Sequence, residues 1–207
     1  MTARFPIRAS LVAIGALAVV AMAALLAVSS AAGPRDDATR SKAAFLAFAP
    51  VLQSPRCINC HTAVDYPRQG NDGHRHGLNV MRGPADHGRP GQLCTSCHAD
   101  HNQLSGVPGA PHWGVAPLAM AWEGLSPAQV CKRLTDLARN GHRDLAALVA
   151  HMTGDPLVQW AWSPGRDARG RSRSLPPVAQ AEFHADVRRW AETGGRCPDD
   201  KAPVVPN

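Results

Sequence analysis

Two five-residue units constrain this chain more than anything else in it. The first is Cys57-Ile58-Asn59-Cys60-His61 and the second is Cys94-Thr95-Ser96-Cys97-His98. Each reads C-x-x-C-H, the attachment sequence for a c-type haem. Two thiols at that spacing can form thioether bonds to the two vinyl groups of one porphyrin. The histidine that follows is then held under the iron as its proximal ligand. A chain carrying two such units has to fold around two macrocycles as well as around its own side chains.

The composition agrees with that demand. Within 207 residues there are 18 Gly and 18 Pro but only 5% aromatic residues. Long ordered loops follow from the first pair of numbers, and a porphyrin can supply the apolar bulk that the third lacks. The length suits one domain of ordinary size. The expected fold class is therefore mainly α with long irregular loops, a di-haem cytochrome c-like domain over residues 33–207. Lys and Arg number 22 against 16 Asp and Glu, a formal charge of +6. So modest a surplus does not mark a nucleic-acid surface.

The first 32 residues read as an export signal. Arg4 and Arg8 precede an uncharged Ala-, Val- and Leu-rich run from Leu11 to Val28, and Ser29-Ser30-Ala31-Ala32 offers small residues to a signal peptidase. The alternative is an uncleaved membrane anchor, although the run is short and only mildly apolar for a span. Both readings put the remainder outside the cytoplasm, in the periplasm, and only the second involves the membrane. Of six cysteines, four belong to the haem units and Cys131 and Cys197 remain. An oxidising compartment makes a disulfide between them the natural expectation.

Periodicity predicts a helix from about Asp36 to Leu52. Ala44, Phe45, Phe48 and Leu52 share one face, and Pro50 should end or kink the helix near Ala49. Residues 62–93 are punctuated by Gly and Pro and hold little regular structure. Ser126-Pro127 is a strong helix start. That helix is expected to reach about Arg139, with Val130, Leu134 and Leu137 inward and Gly141 as cap. Further helices are expected at roughly Arg143–Met152 and Pro177–Thr193, the last with Val178, Ala181, Val187 and Trp190 inward. The helical C-terminal part thus spans residues 126–197. The basic stretch Ser163–Ser174, with Arg166, Arg169, Arg171 and Arg173, reads as a solvated loop or as a docking patch for an acidic partner.

Covalent attachment falls to Cys57, Cys60, Cys94 and Cys97, and His61 and His98 are the proximal ligands. The distal ligands are open. Near the first unit His74, His76 and Met81 compete. After the second lie His112 and Met120, and His151 and Met152 sit further along on a helix. The leading distal candidates are His76, Met120 and His112. Trp113, Trp122, Trp160 and Trp162 either cover porphyrin faces or form core. A four-thiolate zinc site permits the cysteine spacing but has no use for a histidine after each pair. Two disulfides are a further alternative. In a domain of this size, with a radius of gyration of roughly 15 Å, two haems are close enough to exchange electrons.

Several stretches beyond the haem units are similar to one family. They are Ser54-Pro55-Arg56 with the first unit, the loop through His74, His76 and Asn79 to Arg82-Gly83, Pro108-Gly109-Ala110-Pro111-His112-Trp113, and Met120-Ala121-Trp122-Glu123-Gly124-Leu125. Arg139-Asn140-Gly141, His151, Trp160-Ala161-Trp162 and Cys197-Pro198 continue the likeness, which covers roughly residues 44 to 198. The chain resembles exported di-haem-type proteins labelled isoquinoline 1-oxidoreductase subunit. The label implies association with a molybdenum hydroxylase that oxidises N-heterocycles or aldehydes, with this chain as electron acceptor. No molybdopterin or iron–sulfur pattern is present. A small peroxidase-like haem enzyme is the principal rival, although two-haem peroxidases are generally larger.

Overall fold

The computed structural model describes residues 33–200. The expected export signal over residues 1–32 lies outside them. Helix, α with short 3-10 turns, accounts for 42% of the chain described and strand for 6%, so the protein is mainly α. From Asp36 the described residues form one compact unit. Among the described residues no helix is long and apolar enough to cross a membrane.

Helix α1 spans Pro34–Leu52. Its stripe of Ala44, Phe45, Phe48 and Leu52 is buried as the spacing demands. Pro50 does not stop it. Proline forfeits one hydrogen bond to the preceding turn, and so close to the end only that bond is lost. A four-residue helix, α2 (Pro55–Ile58), follows at once and carries the first cysteine.

The chain between the two motifs is less bare than expected. Strands β1 (Arg68–Gln69) and β2 (His74–Arg75) pair antiparallel, as do β3 (Gly88–Arg89) and β4 (Gln92–Leu93). The second hairpin turns through Pro90-Gly91, with Gly91 at φ 78°. Pro then Gly at the centre of a turn is the type II signature. The two hairpins lie immediately before His76 and Cys94, respectively.

Helices α3 (Pro127–Thr135), α4 (Leu145–Gly154), α5 (Pro156–Gln159) and α6 (Gln180–Glu192) complete the chain. Ser126 and Gln129 cap α3 reciprocally. This helix stops four residues before Arg139 because Asp136 captures the next backbone: its carboxylate accepts from the Ala138 N–H at 3.0 Å and from Arg139 Nε at 3.0 Å. Leu137 is consequently exposed. In α6 the inward positions are Phe183, Val187 and Trp190, and Ala181 faces out.

Phe45 and Phe48 of α1 pack on Phe183 and Trp190 of α6, with ring centres 5.7 Å (Phe45–Trp190), 5.7 Å (Phe48–Phe183) and 5.9 Å (Phe48–Trp190) apart. Val130 and Leu134 of α3, with Leu148 and Met152 of α4, close the core. Ser41 Oγ donates to the Trp190 carbonyl at 3.0 Å and accepts from the Arg196 N–H at 2.8 Å. The disulfide Cys131–Cys197 ties α3 to the segment after α6 across a sequence separation of 66. Loop-closure entropy alone makes such a link worth up to about 4 kcal/mol.

Candidate haem centres

The first motif begins where α1 has delivered it. Pro55 opens α2, and the turn continues through Cys60 N–H to Cys57 O at 3.1 Å and His61 N–H to Cys57 O at 3.0 Å. A helical turn puts residues three apart on one side, which is what two thiols meeting one porphyrin edge require. The His61 Nδ1 donates to the Met120 carbonyl at 2.7 Å. A carbonyl only accepts, so the proton is on Nδ1 and the Nε2 lone pair is free. Burial pushes His61 down to about 4, with His151 and Arg82 adding to the effect and the Met120 carbonyl opposing it, so the ring is neutral at pH 7. Trp122 lies parallel on the His61 ring, centres 3.5 Å apart and planes 8° apart. Its own Nε1 donates to the Leu52 carbonyl at 2.8 Å, one of the carbonyls left open at the end of α1.

The second motif repeats this arrangement on a different support. A 3-10 turn, Cys94–Ser96, carries Cys94, and His98 N–H reaches Cys94 O at 2.9 Å. The His98 Nδ1 donates to the Pro108 carbonyl at 2.7 Å. Trp113 stacks on the ring at 4.5 Å and 7°. Trp160 stands edge-on to Trp113 at 4.9 Å, and its Nε1 donates to Asn102 Oδ1 at 2.8 Å. Burial lowers the basicity of His98 as well, with His76 and Arg173 contributing against the Pro108 carbonyl. Gly109 is needed here: a Cβ on it would lie 2.2 Å from the Ala99 carbonyl oxygen.

The two motifs are neighbours, and each borrows from the other's part of the chain. Burial, and secondarily the adjacent Cys94 thiol, push Cys60 up to about 11. Cys57 is pushed up to about 12 by burial first and Cys60 second. The segment after the second motif returns to the first: Ala116 N–H donates to Cys60 O at 3.2 Å and Trp122 N–H to His61 O at 3.1 Å. Arg82, buried between them, donates to the carbonyls of Thr62, Val64 and Ala116 and to Asp86 Oδ1.

No family model, curated protein or solved structure matches the chain. Its chemistry therefore has to be judged on the residues themselves. Cys57, Cys60, Cys94 and Cys97 are free thiols, and the first three are half-buried. They are not paired as disulfides. Among the described residues no three or more His, Cys, Asp or Glu side chains gather as a metal cluster. A four-thiolate zinc site would need that convergence, whereas a haem iron asks the protein for two axial ligands only. Among the described residues the buried side-chain atoms without a hydrogen-bond partner are Arg56 Nε, Asn59 Oδ1, Arg68 Nε and Arg82 Nε. All four lie in or beside the first motif and the loop after it. Three are cationic donors, and haem c carries two carboxylates able to accept from such groups. The residues present fit the group.

The distal candidates are placed very differently. Met120 is buried in the core, and its carbonyl serves His61 from the Nδ1 side. His112 is exposed, with its backbone at φ 59°. His76, expected beside the first motif, instead sits by the second, its ring centre 6.1 Å from that of His98. His74 is engaged by Asp72 at 2.6 Å, and the Met81 sulfur accepts from Arg75 at 3.4 Å. His151 pairs its Nδ1 with Asp155 at 3.1 Å, and Met152 is core. Of the tryptophans, Trp122 and Trp162 join the core, Trp113 lies on His98, and Trp160 stands against Trp113. The basic stretch is largely tied down: Arg171 pairs with Asp167 at 2.8 Å, and Arg173 donates to the Pro164 carbonyl at 2.8 Å. The carbonyls of Met120 and Pro108 had no signal in the sequence, since a backbone acceptor has no residue type of its own.

Proposed function

We propose that this chain is an exported electron carrier that holds two c-type haems, one at each C-x-x-C-H unit. One observation carries the reading. Both motif histidines donate Nδ1 to a backbone carbonyl and lie against a parallel tryptophan. That hydrogen bond is what a haem-ligating histidine uses: it fixes the tautomer, raises the basicity of the free nitrogen and sets the ring plane.

In this reading Cys57 and Cys60 hold one haem with His61, and Cys94 and Cys97 hold the other with His98. The bound haems supply one-electron exchange. Burial pushes the Cys57, Cys60 and Cys94 thiols up and the His61 and His98 imidazoles down, which favours the neutral form of each. The cysteine remainder supports an extracytoplasmic setting, because Cys131–Cys197 is a disulfide. The likeness to the isoquinoline 1-oxidoreductase subunits suggests the donor, a molybdenum hydroxylase-like dehydrogenase, with electrons passing on toward a respiratory chain.

The test is expression in a host with c-type haem maturation, followed by mass analysis and the pyridine haemochrome spectrum. Two covalent haems per chain are expected, both low-spin and both inert to carbon monoxide and peroxide. A protein exported intact without covalent haem refutes the reading. A five-coordinate haem that turns over peroxide replaces it with the peroxidase-like alternative.

A further inference from the structure

The loop that follows the first motif brings His76 beside the second. His76 is half-buried, and its ring centre stands 6.1 Å from that of His98 with planes 66° apart. Two imidazoles bound to one iron through nitrogen have a calculable spacing. With metal–nitrogen bonds of about 2.0–2.1 Å and roughly 1.1 Å from nitrogen to ring centre, the centres fall about 6.2 Å apart. The observed separation matches that of an axial pair.

The hydrogen bonds point the same way. His76 donates Nδ1 to the Gly77 carbonyl at 2.9 Å, and His98 donates Nδ1 to the Pro108 carbonyl at 2.7 Å. Each ring has spent its proton on the backbone, so the nitrogen each retains is an acceptor. Two acceptors cannot satisfy one another, but one cation serves both. The chain also holds His76 in place at a cost. Leu78 and Asn79 follow it at φ 57° and 51°, a left-handed pair without glycine, and such strain concentrates where a loop has a ligand to position. The loop is pinned from both hairpins: His76 N–H donates to the Pro67 carbonyl at 3.0 Å, Gly77 N–H to Gln69 Oε1 at 3.0 Å, and Gln92 Nε2 to the Leu78 carbonyl at 2.9 Å. Leu78 and Leu93, two large apolar side chains of these segments, are 82% and 47% exposed, apolar surface beside the pair that a porphyrin can cover.

We infer that His76 and His98 are the two axial ligands of the second haem, a bis-histidine centre whose distal ligand comes from the loop following the first attachment motif. This rests on the haem reading above, and the experiment separates the two. Haem content and electron paramagnetic resonance are recorded on the purified, haem-loaded wild type and on His76→Ala, His76→Met and His112→Ala. Wild type is expected to show two covalent haems, at least one with a bis-histidine low-spin signal. His76→Ala should keep two covalent haems but convert one to high-spin and raise carbon monoxide binding from none to one per chain. Added imidazole should reverse that change. His76→Met should restore low spin with a methionine–iron charge-transfer band, and His112→Ala should resemble wild type. Two covalent haems that both stay low-spin in His76→Ala would overturn the inference and leave the carrier reading standing. Absence of covalent haem from the wild type overturns both.

Discussion

The two motifs make the same hydrogen bonds on opposite kinds of support. His61 leans on Trp122, which is 4% exposed and bonded to the end of α1, and burial there pushes the Cys57 and Cys60 thiols up and the His61 imidazole down. His98 leans on a half-buried Trp113 held by loops, and Cys97 is exposed. One imidazole geometry has thus been built once from the helical core and once from irregular chain. The difference teaches that the carbonyl acceptor and the parallel indole are what the site needs, while the support is free to vary. It also means that the two centres should differ in stability and in potential although their motifs are alike.

The sharpest way to break this comparison is to truncate both tryptophans. Trp122→Ala removes a buried core ring and should cost about 3–5 kcal/mol. Trp113→Ala, half-exposed already, should cost about 1–2 kcal/mol. Denaturant titration followed by far-ultraviolet circular dichroism compares them directly, and equal losses would show that the second site is as deeply built as the first. Next in size is the disulfide. Replacing Cys131 and Cys197 by Ser together should lower stability by up to about 4 kcal/mol. The loss should loosen the first site before the second, because α3 and α6 pack with α1, and α1 carries Leu52 beneath Trp122. Visible absorption during thermal unfolding would show which haem signal departs first.

The smallest effect concerns potential. Low polarity disfavours the more highly charged ferric state, and the charges of Arg56 and Arg82 reach Cys57, Cys60 and His61. Both influences favour the reduced form at the first centre. A solvent-facing bis-histidine centre lies lower. The first haem should therefore be the more oxidising by on the order of 60 mV, tenfold in a one-electron equilibrium. A spectroelectrochemical titration that finds the reverse order would invert the comparison.

Local chemistry was legible in the sequence and long-range pairing was not. The attachment units, the apolar face of α1 and the Ser126-Pro127 start of α3 are each written within a few residues, and the structure has the apolar face of α1, the start of α3 and the Cys131–Cys197 disulfide where they were expected. Asp136 and Pro90-Gly91 carry equally local signals, for a helix stop and a hairpin, that composition overshadowed. Met120 is instructive in another way. Its type and place suggested an iron ligand, but the contact it makes to His61 is through its carbonyl, which any residue could offer. The assignment of His76 depended on two hairpins folding the loop toward the second motif rather than back on the first, and no short window of sequence contains that information.

A polypeptide emerges N-terminus first, whether from the ribosome or through a pore. The first motif appears early, yet His61 rests on the Met120 carbonyl and Trp122, a sequence separation of 59 for the hydrogen bond. The second motif emerges later, but His98 needs Pro108 at a separation of only 10 and His76, which has already passed. The carbonyl acceptor and the parallel tryptophan of the second motif, Pro108 and Trp113, thus emerge before Met120 and Trp122 of the first, and for these partners the order of completion runs opposite to the order of synthesis.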